Sequence, residues 1–474
     1  MDRPYTYYDF TQSICSTCFK RTDAKIVFLD GEVWMLKRCP EHGPERVRIA
    51  GDIDYYKRCR EFIKPGEIPQ KFGTKTHHGC PYDCGLCTDH EQHSCLTLIE
   101  VTDRCNLTCP TCYASSGPGV GRHRTLAEIE RMLDGIVAHE GRPDVVQISG
   151  GEPTVHPDFF AIMDAAKARP IRHLMLNTNG IRIARDLAFT ERLASYAPGF
   201  EVYLQFDSFR PDVLTHLRGQ DLTAVRRQAL EHLNAVGLST TLVVTLERGK
   251  NDDEIGDIIR FALDQPCVRG VTFQPTQEAG RLDTYDASTG RLTLTDVRQG
   301  IIDQSGLFTA EDLVPVPCNP DALCMAYALK LGDSTVPLTR LFSPEDLLVG
   351  TRNTIVFEEE QAVRERAFRL FSTGTPMDKA ETELTDLLCC LPRIDAPSLS
   401  YSNLFRIIIM QFLDPASFDV RSVKRSCVHI VHPDGRIIPF DTMNTFYREG
   451  APGAHLIQEM GGPVRIQSHE TVQE

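Results

Sequence analysis

The sequence predicts an α/β protein: a middle region in which parallel strands alternate with helices, an N-terminal metal-binding ribbon, and a C-terminal α+β part carrying further metal ligands. Three observations carry that expectation. Cysteines fall in ligand spacings, with CxxC and CxxH pairs between Cys15 and His42 and two CxxxCxxC triplets between Cys80 and Cys112. Apolar runs of strand length alternate with helical periodicity from Leu96 to Gln274. A hairpin signal, Pro433-Asp434-Gly435 between two apolar arms, stands near the C-terminus.

The ribbon comes first. Cys15-Ser-Thr-Cys18 and Cys39-Pro-Glu-His42 place four soft-to-borderline ligands in two knuckles, the pattern of a mononuclear tetrahedral site for zinc or iron. If His42 is only a surface histidine, the three cysteines lack a fourth ligand. Small ribbons often bind nucleic acid, but the formal net charge of −14 and pI near 5.6 oppose that role. Lys37, Arg38, Arg46 and Arg48 read as a solvated strand face.

The two triplets differ in one respect. Cys80, Cys84 and Cys87 have Cys95 nearby as a fourth thiolate, which makes a closed cluster suited to electron transfer or support. Cys105, Cys109 and Cys112 have none until Cys267, so they hold three irons of a cubane and leave the fourth open to a ligand. The alternatives are zinc or a chance group of buried thiols, although zinc sites favour pairs at two-residue spacing.

Strands are expected at Leu96–Thr102, Val145–Ser149, His173–Asn177, Glu201–Phe206, Thr240–Leu246 and Gly270–Gln274. Between them lie a helix with a Thr125/Glu128 capping box and an apolar face of Leu126, Ile129, Leu133, Ile136 and Val137, and helices near Thr223–Asn234 and Glu254–Leu263. Strand two runs into Gly150-Gly151-Glu152-Pro153, where glycine permits close approach of backbone to a ligand. Asn177, Asn179, Gln205 and Asp207 stand at the C-terminal ends of strands three and four, the functional mouth of barrel enzymes. Ordinary turn chemistry accounts equally well for Asn179-Gly180.

In the C-terminal third, Cys318, Cys324 and Cys427 are candidates for one further cluster, and Val428–Val431 and Arg436–Phe440 form the hairpin arms. Leu404–Leu413 is the most apolar stretch and reads as a core helix, too short to span a bilayer. Cys59, Cys267, Cys389 and Cys390 read as buried small hydrophobes, and Glu358-Glu359-Glu360 as a solvated helix start. Seventeen cysteines in metal spacings argue for ligands in a reducing compartment. With no signal-like stretch after Met1 and no apolar run of about 18 residues, the expectation is a cytoplasmic enzyme, with peripheral membrane contact left open.

The Cys105–Cys112 triplet followed by Tyr113, with the Gly-Gly-Glu-Pro segment after strand two, resembles the radical S-adenosylmethionine (SAM) superfamily. The resemblance implies a partial (βα)6 barrel and a cluster on Cys105, Cys109 and Cys112 whose open iron chelates SAM and yields a deoxyadenosyl radical. It further implies SAM contacts from Tyr113, Gly150, Gly151, Glu152, Pro153, Asn177, Asn179, Gln205 and Asp207, and an electron donor such as reduced ferredoxin or flavodoxin. The ribbon, His77-His78-Gly79-Cys80, Cys95, the Pro317-Cys318 segment and the Pro433–Phe440 hairpin resemble a narrower group that includes archaeal tetraether lipid synthase and dihydropterin methyltransferase. That group places a cysteine where this chain has Asp441, so the implied third cluster is held by Cys318, Cys324, Cys427 and Asp441, altered, or lost.

The expected domains are a ribbon over 1–75, an auxiliary 4Fe–4S segment over 76–98, the barrel over 99–300 and a C-terminal domain over 301–474. The expected reaction is hydrogen abstraction from an sp3 carbon followed by carbon–carbon bond formation on a lipid chain. The alternatives are methylation of a dihydropterin or similar heterocycle and, in another class, a non-catalytic iron–sulfur carrier.

Overall fold

In the computed structural model, which describes residues 3–331, 334–340 and 403–461, the chain opens as an antiparallel meander. Its strands are β1 (Thr6–Ile14), β2 (Arg21–Leu29), β3 (Glu32–Cys39) and β4 (Gly43–Ala50). Asp30 and Gly31 turn β2 into β3 with positive φ at both residues, as a tight hairpin requires. Of the basic residues expected on a solvated face, Arg38 and Arg46 are exposed, whereas Lys37 and Arg48 fasten the ribbon to the rest of the chain. Lys37 Nζ is buried and donates to the carbonyls of Ile14, Pro415 and Ala416 at 2.8, 2.8 and 2.9 Å. Arg48 donates to both carboxylate oxygens of Asp296 at 2.8 and 2.9 Å. Their long apolar stems let each charge reach a partner while the stem stays packed.

The expected strand–helix alternation is present. β5 (Leu96–Thr102) leads into the cysteine loop, which contains the short β6 (Thr111–Cys112). β7 (Val145–Gly150), β8 (His173–Thr178), β9 (Phe200–Gln205), β10 (Thr240–Leu246) and β11 (Val268–Pro275) follow. They pair in parallel in the order β5-β7-β8-β9-β10-β11. The helix Leu126–Glu140 carries the expected capping box, and Ile129, Leu133 and Ile136 bury its apolar face. β12 (Arg281–Leu282) returns to pair with β6 across the mouth.

Beyond the barrel come β13 (Val314–Pro315), β14 (Leu323–Leu331), β15 (Ser334–Pro337), β16 (Leu404–Met410), β17 (Val428–Val431) and β18 (Ile437–Pro439). β16 adds in parallel to β11, and β17 adds in parallel to β5. Both edges of the six-stranded sheet are thus extended, and among the described residues the sheet does not close on itself. The core helix expected over Leu404–Leu413 is therefore β16 instead. Phe405, Ile407 and Ile409 are buried while Leu404, Arg406 and Ile408 are half-buried, the period-two pattern of a strand rich in β-branched residues. Among the described residues no helix is long and apolar enough to cross a membrane.

Alternation along the strands stacks the inward side chains in layers. Lowest, Arg406 Nη2 donates to both oxygens of Glu201 at 2.8 and 2.7 Å. Above it pack Leu96, Val145, Met175, Tyr203 and Val243. Two residues further along each strand stand Leu98, Gln147, Asn177, Gln205 and Thr245, which line a cavity.

Candidate functional site

The cavity opens at the C-terminal ends of the parallel strands, and Cys105, Cys109 and Cys112 line it. Their loop is tied down on both sides. Arg281 donates to the carbonyls of Cys109 and Ser116 at 2.6 and 2.8 Å, and Asn179 Nδ2 donates to Asn106 Oδ1 at 2.7 Å. Burial pushes the Cys105 thiol up to about 12 and raises that of Cys109 as well. Uncompensated thiolates are costly here, whereas thiolates bound to iron carry their counter-charge with them. Three thiols lining one cavity fit the donor set of a cluster that keeps one iron open.

The glycines of the Gly-Gly-Glu-Pro segment are required by space. A Cβ on Gly150, whose φ is +131°, would stand 2.3 Å from the Thr102 carbonyl oxygen; one on Gly151 would stand 2.3 Å from that of Arg104. Their backbone lines the cavity. The Glu152 side chain does not. Its carboxylate accepts from the Thr154 amide and hydroxyl at 3.1 and 2.6 Å, the Thr178 hydroxyl at 2.8 Å and the Asn179 amide at 2.8 Å. Glu152 thus braces the loop from behind, and the buried Pro153 starts the short turn Pro153–Val155.

Of the residues expected near the cofactor, Tyr113, Gly150, Gly151, Asn177, Asn179 and Gln205 share the cavity with the three cysteines, and Glu152, Pro153 and Asp207 do not. Asp207 is fully buried with φ +68°, and both its oxygens accept from Arg218, at 2.8 and 2.5 Å. Arg226 Nη2 stands 3.5 Å away. What reaches the cavity is Arg218, which packs against Cys109. Sequence reasoning missed Arg218, since an arginine in the helix Pro211–Arg218 carries no local signature. It also missed Gln274 and Tyr203, which line the cavity and lie within 3.2 Å of each other.

Three more cysteine groups lie outside this cavity. In the ribbon, the ligand atoms of Cys15, Cys18, Cys39 and His42 gather within 4.8 Å of one another, as the spacing predicted. Cys80 and Cys84 lie thiol to thiol with Cys87 beside them, and Cys84 Sγ is 3.0 Å from Thr442 Oγ1. Cys95 departs from expectation. It gathers with Cys318 and Cys427, because β17 pairs with β5 and sets the residue before each strand side by side. Cys324 and Asp441 are not in that group. Cys324, on β14, is buried against Tyr55 and Cys59, and Asp441 Oδ1 accepts from the Leu413 amide at 2.6 Å. Cys389, Cys390 and the Glu358–Glu360 run lie outside the described residues.

Residues 99–262 match the Radical SAM superfamily, and residues 7–51 match the HMPTM N-terminal zinc ribbon domain. The chain is 33% identical over 478 residues to the 7,8-dihydro-6-hydroxymethylpterin dimethyltransferase of Methanocaldococcus jannaschii, covering 93% of this chain and 94% of that one. A GTP 3′,8-cyclase of Alkaliphilus oremlandii is 32% identical over 187 residues, 39% of this chain and 57% of that one. Streptococcus suis SuiB bound to S-adenosylmethionine superposes with a TM-score of 0.38 at 18% identity, over 44% of this chain and 46% of that one. The family implies SAM and 4Fe–4S clusters as cofactors, and the ribbon and the other cysteine groups fit additional metal sites. Likeness that runs from the ribbon through the barrel to the C-terminal strands is more than a shared barrel: the chain is a radical SAM enzyme and belongs to the family of that dihydropterin dimethyltransferase.

Proposed function

We propose that the chain methylates a dihydropterin or a closely similar small heterocycle. The observation that carries this reading is the near full-length similarity to the dihydropterin dimethyltransferase. The cavity supports it. Its walls combine the amides of Gln147, Asn177, Gln205 and Gln274 with the rings of Tyr203 and Phe412. Amides suit the donor and acceptor edge of a pterin, and rings suit its face. A lipid chain offers those amides no partner, and each buried polar group left unpaired costs about 1–3 kcal/mol. The lipid-joining expectation is therefore the weaker reading.

In this reading Cys105, Cys109 and Cys112 hold the catalytic cluster, and the Gly150–Gly151 backbone seats SAM. Bound there, cluster and SAM supply a carbon-centred radical able to take hydrogen from an unactivated carbon. Asn177 and Gln205 contact cofactor or substrate, Cys80, Cys84 and Cys87 hold an auxiliary cluster, and reduced ferredoxin or flavodoxin delivers electrons. The chain divides as ribbon 1–75, auxiliary segment 76–98, barrel 99–300 and C-terminal part 301–474.

The test is mass spectrometry of pterin and lipid pools in a deletion strain, complemented with the intact gene or with Cys109→Ala. A methylated pterin that disappears on deletion, returns with the intact gene and stays absent with C109A supports the reading. An unchanged pterin pool overturns it, and loss of a coupled lipid instead would restore the lipid reading.

A further inference from the structure

Two amide oxygens on the cavity wall are left unsatisfied by the protein. Gln147 on β7 is only 3% exposed, lines the cavity, and its Oε1 has no partner among the described residues. Asn177 on β8 is held by its other end. Its Nδ2 donates to Ser149 Oγ at 3.3 Å, which sets the sense of the amide and leaves Oδ1 buried and unpaired. β7 and β8 pair in parallel, so the two oxygens belong to adjacent strands. Each has given up hydration without gaining a hydrogen bond in return, a state that buried polar groups rarely keep unless a ligand completes it. The hydroxyls of Thr111 and Tyr113 are unpaired on the same wall. A hydroxyl can give or accept, however, whereas an amide oxygen only accepts, so Gln147 and Asn177 fix the sign of the missing partner as a donor.

Depth and charge narrow the donors. Gln147 stands three residues before Gly150 on β7, about 10 Å further from the mouth than the Gly-Gly turn that seats SAM in the reading above. Its partner is therefore a group that reaches past the cofactor. The carboxylate on the cavity wall, that of Glu278, is taken by Arg291 at 2.9 Å, and Arg218 adds positive charge. A cationic donor such as a free amidinium would find no counter-charge there, whereas a neutral ring with two adjacent N–H donors meets two neutral acceptors at no such cost. Tyr203, which pairs with Asn177 across β8 and β9, offers that ring a face.

We propose that Gln147 and Asn177 are the specificity-determining residues of the cavity, accepting from the amino group and the neighbouring ring N–H of a 2-amino-4-oxopyrimidine edge. The site then selects 2-amino over 2-oxo heterocycles, and the amino edge enters first. This rests on the reading of the substrate as a dihydropterin and adds how that substrate is told from its close relatives. A 2-oxo ring turns a carbonyl toward oxygens that already lack a donor.

The experiment is anaerobic equilibrium dialysis of the holoenzyme with 7,8-dihydro-6-hydroxymethylpterin and with its 2-oxo counterpart, for wild type, Gln147→Met and Asn177→Leu. Wild type is expected to bind the 2-amino compound about 10–100-fold more tightly. Q147M and N177L should each weaken binding of the 2-amino compound about tenfold or more, with little change for the 2-oxo compound, so that the ratio collapses. Iron content at the wild-type level shows that a variant is folded. Wild type that binds the two compounds alike overturns the assignment, and this outcome needs no variant. A ratio kept in both folded variants overturns it as well, while the dihydropterin reading stands. Wild type that binds neither compound overturns that reading and the assignment together.

Discussion

Asp207→Asn tests the electrostatics beneath the cysteine loop. Asp207 is the carboxylate between two buried guanidinium groups, accepting twice from Arg218 and lying 3.5 Å from Arg226. The substitution keeps the shape and removes the charge. Breaking a buried pair from one side leaves an uncompensated ion and costs about 3–5 kcal/mol, whereas removing both partners costs much less. Unfolding entropy near 2 cal/mol/K per residue, over a unit between the size of the barrel and the whole chain, turns that cost into a fall in Tm of about 3–10 °C. Thermal melts at one scan rate under anaerobic conditions measure it. The double variant Asp207→Asn/Arg218→Met should recover part of the loss, with a coupling energy of about 2 kcal/mol or more. D207N within 1 °C of wild type, or a double variant that loses the full sum of the two singles, refutes the argument that Asp207 acts by neutralising Arg218.

Gly151→Ala forces a Cβ to within 2.3 Å of the Arg104 carbonyl oxygen, so the loop must shift; SAM affinity measured by equilibrium dialysis should fall about tenfold or more at unchanged iron content. Lys37→Met strips the donor from three carbonyls, those of Ile14, Pro415 and Ala416; a cost on the order of 2–4 kcal/mol should appear as faster proteolytic release of the ribbon. Asp441 gives a pH test, since burial, reinforced by the charge of Asp414, pushes its carboxyl from 3.8 up to about 7. The folded protein then holds a proton that the unfolded chain has lost, so stability falls as pH rises from about 4 to about 7. Asp441→Asn removes that dependence, and its gain over wild type in melts should be about 2–3 kcal/mol larger at pH 8 than at pH 5.

What the sequence made legible follows from residue type and short spacing. The cysteines within each ribbon knuckle and within the Cys105–Cys112 loop sit within a few positions of one another, so local geometry aligns them, while the two knuckles, with Cys18 and Cys39 21 positions apart, meet through the strand pairing of the meander. Gly150 and Gly151 were legible because a missing Cβ has one use beside a ligand. Where a side chain turns was not legible: Glu152 and Asp207 stand in the expected loops and face away from the cavity. Cys95 was assigned to its sequence neighbours, but its partners are chosen by the pairing of β17 with β5, more than 300 positions apart. The Leu404–Leu413 run was ambiguous for a physical reason. A stretch apolar on both faces hides its period, and only the neighbours supplied by β11 and β14 decide for a strand.

The two strands that flank the barrel bear on how the chain comes into being. β11 ends at Pro275, yet the strands that cover the two open edges, β16 beside β11 and β17 beside β5, are complete only at Val431. At about 5–20 residues per second, a ribosome needs roughly 8–30 s to make the intervening 156 residues (431 − 275). Throughout that interval a parallel sheet stands with unpaired backbone along both sides, a template for any other strand that arrives first. β16 and β17 are thus expected to guard late against association between nascent chains. Ribosome release just after the barrel should yield aggregates, and supplying residues 403–461 as a separate peptide should suppress them.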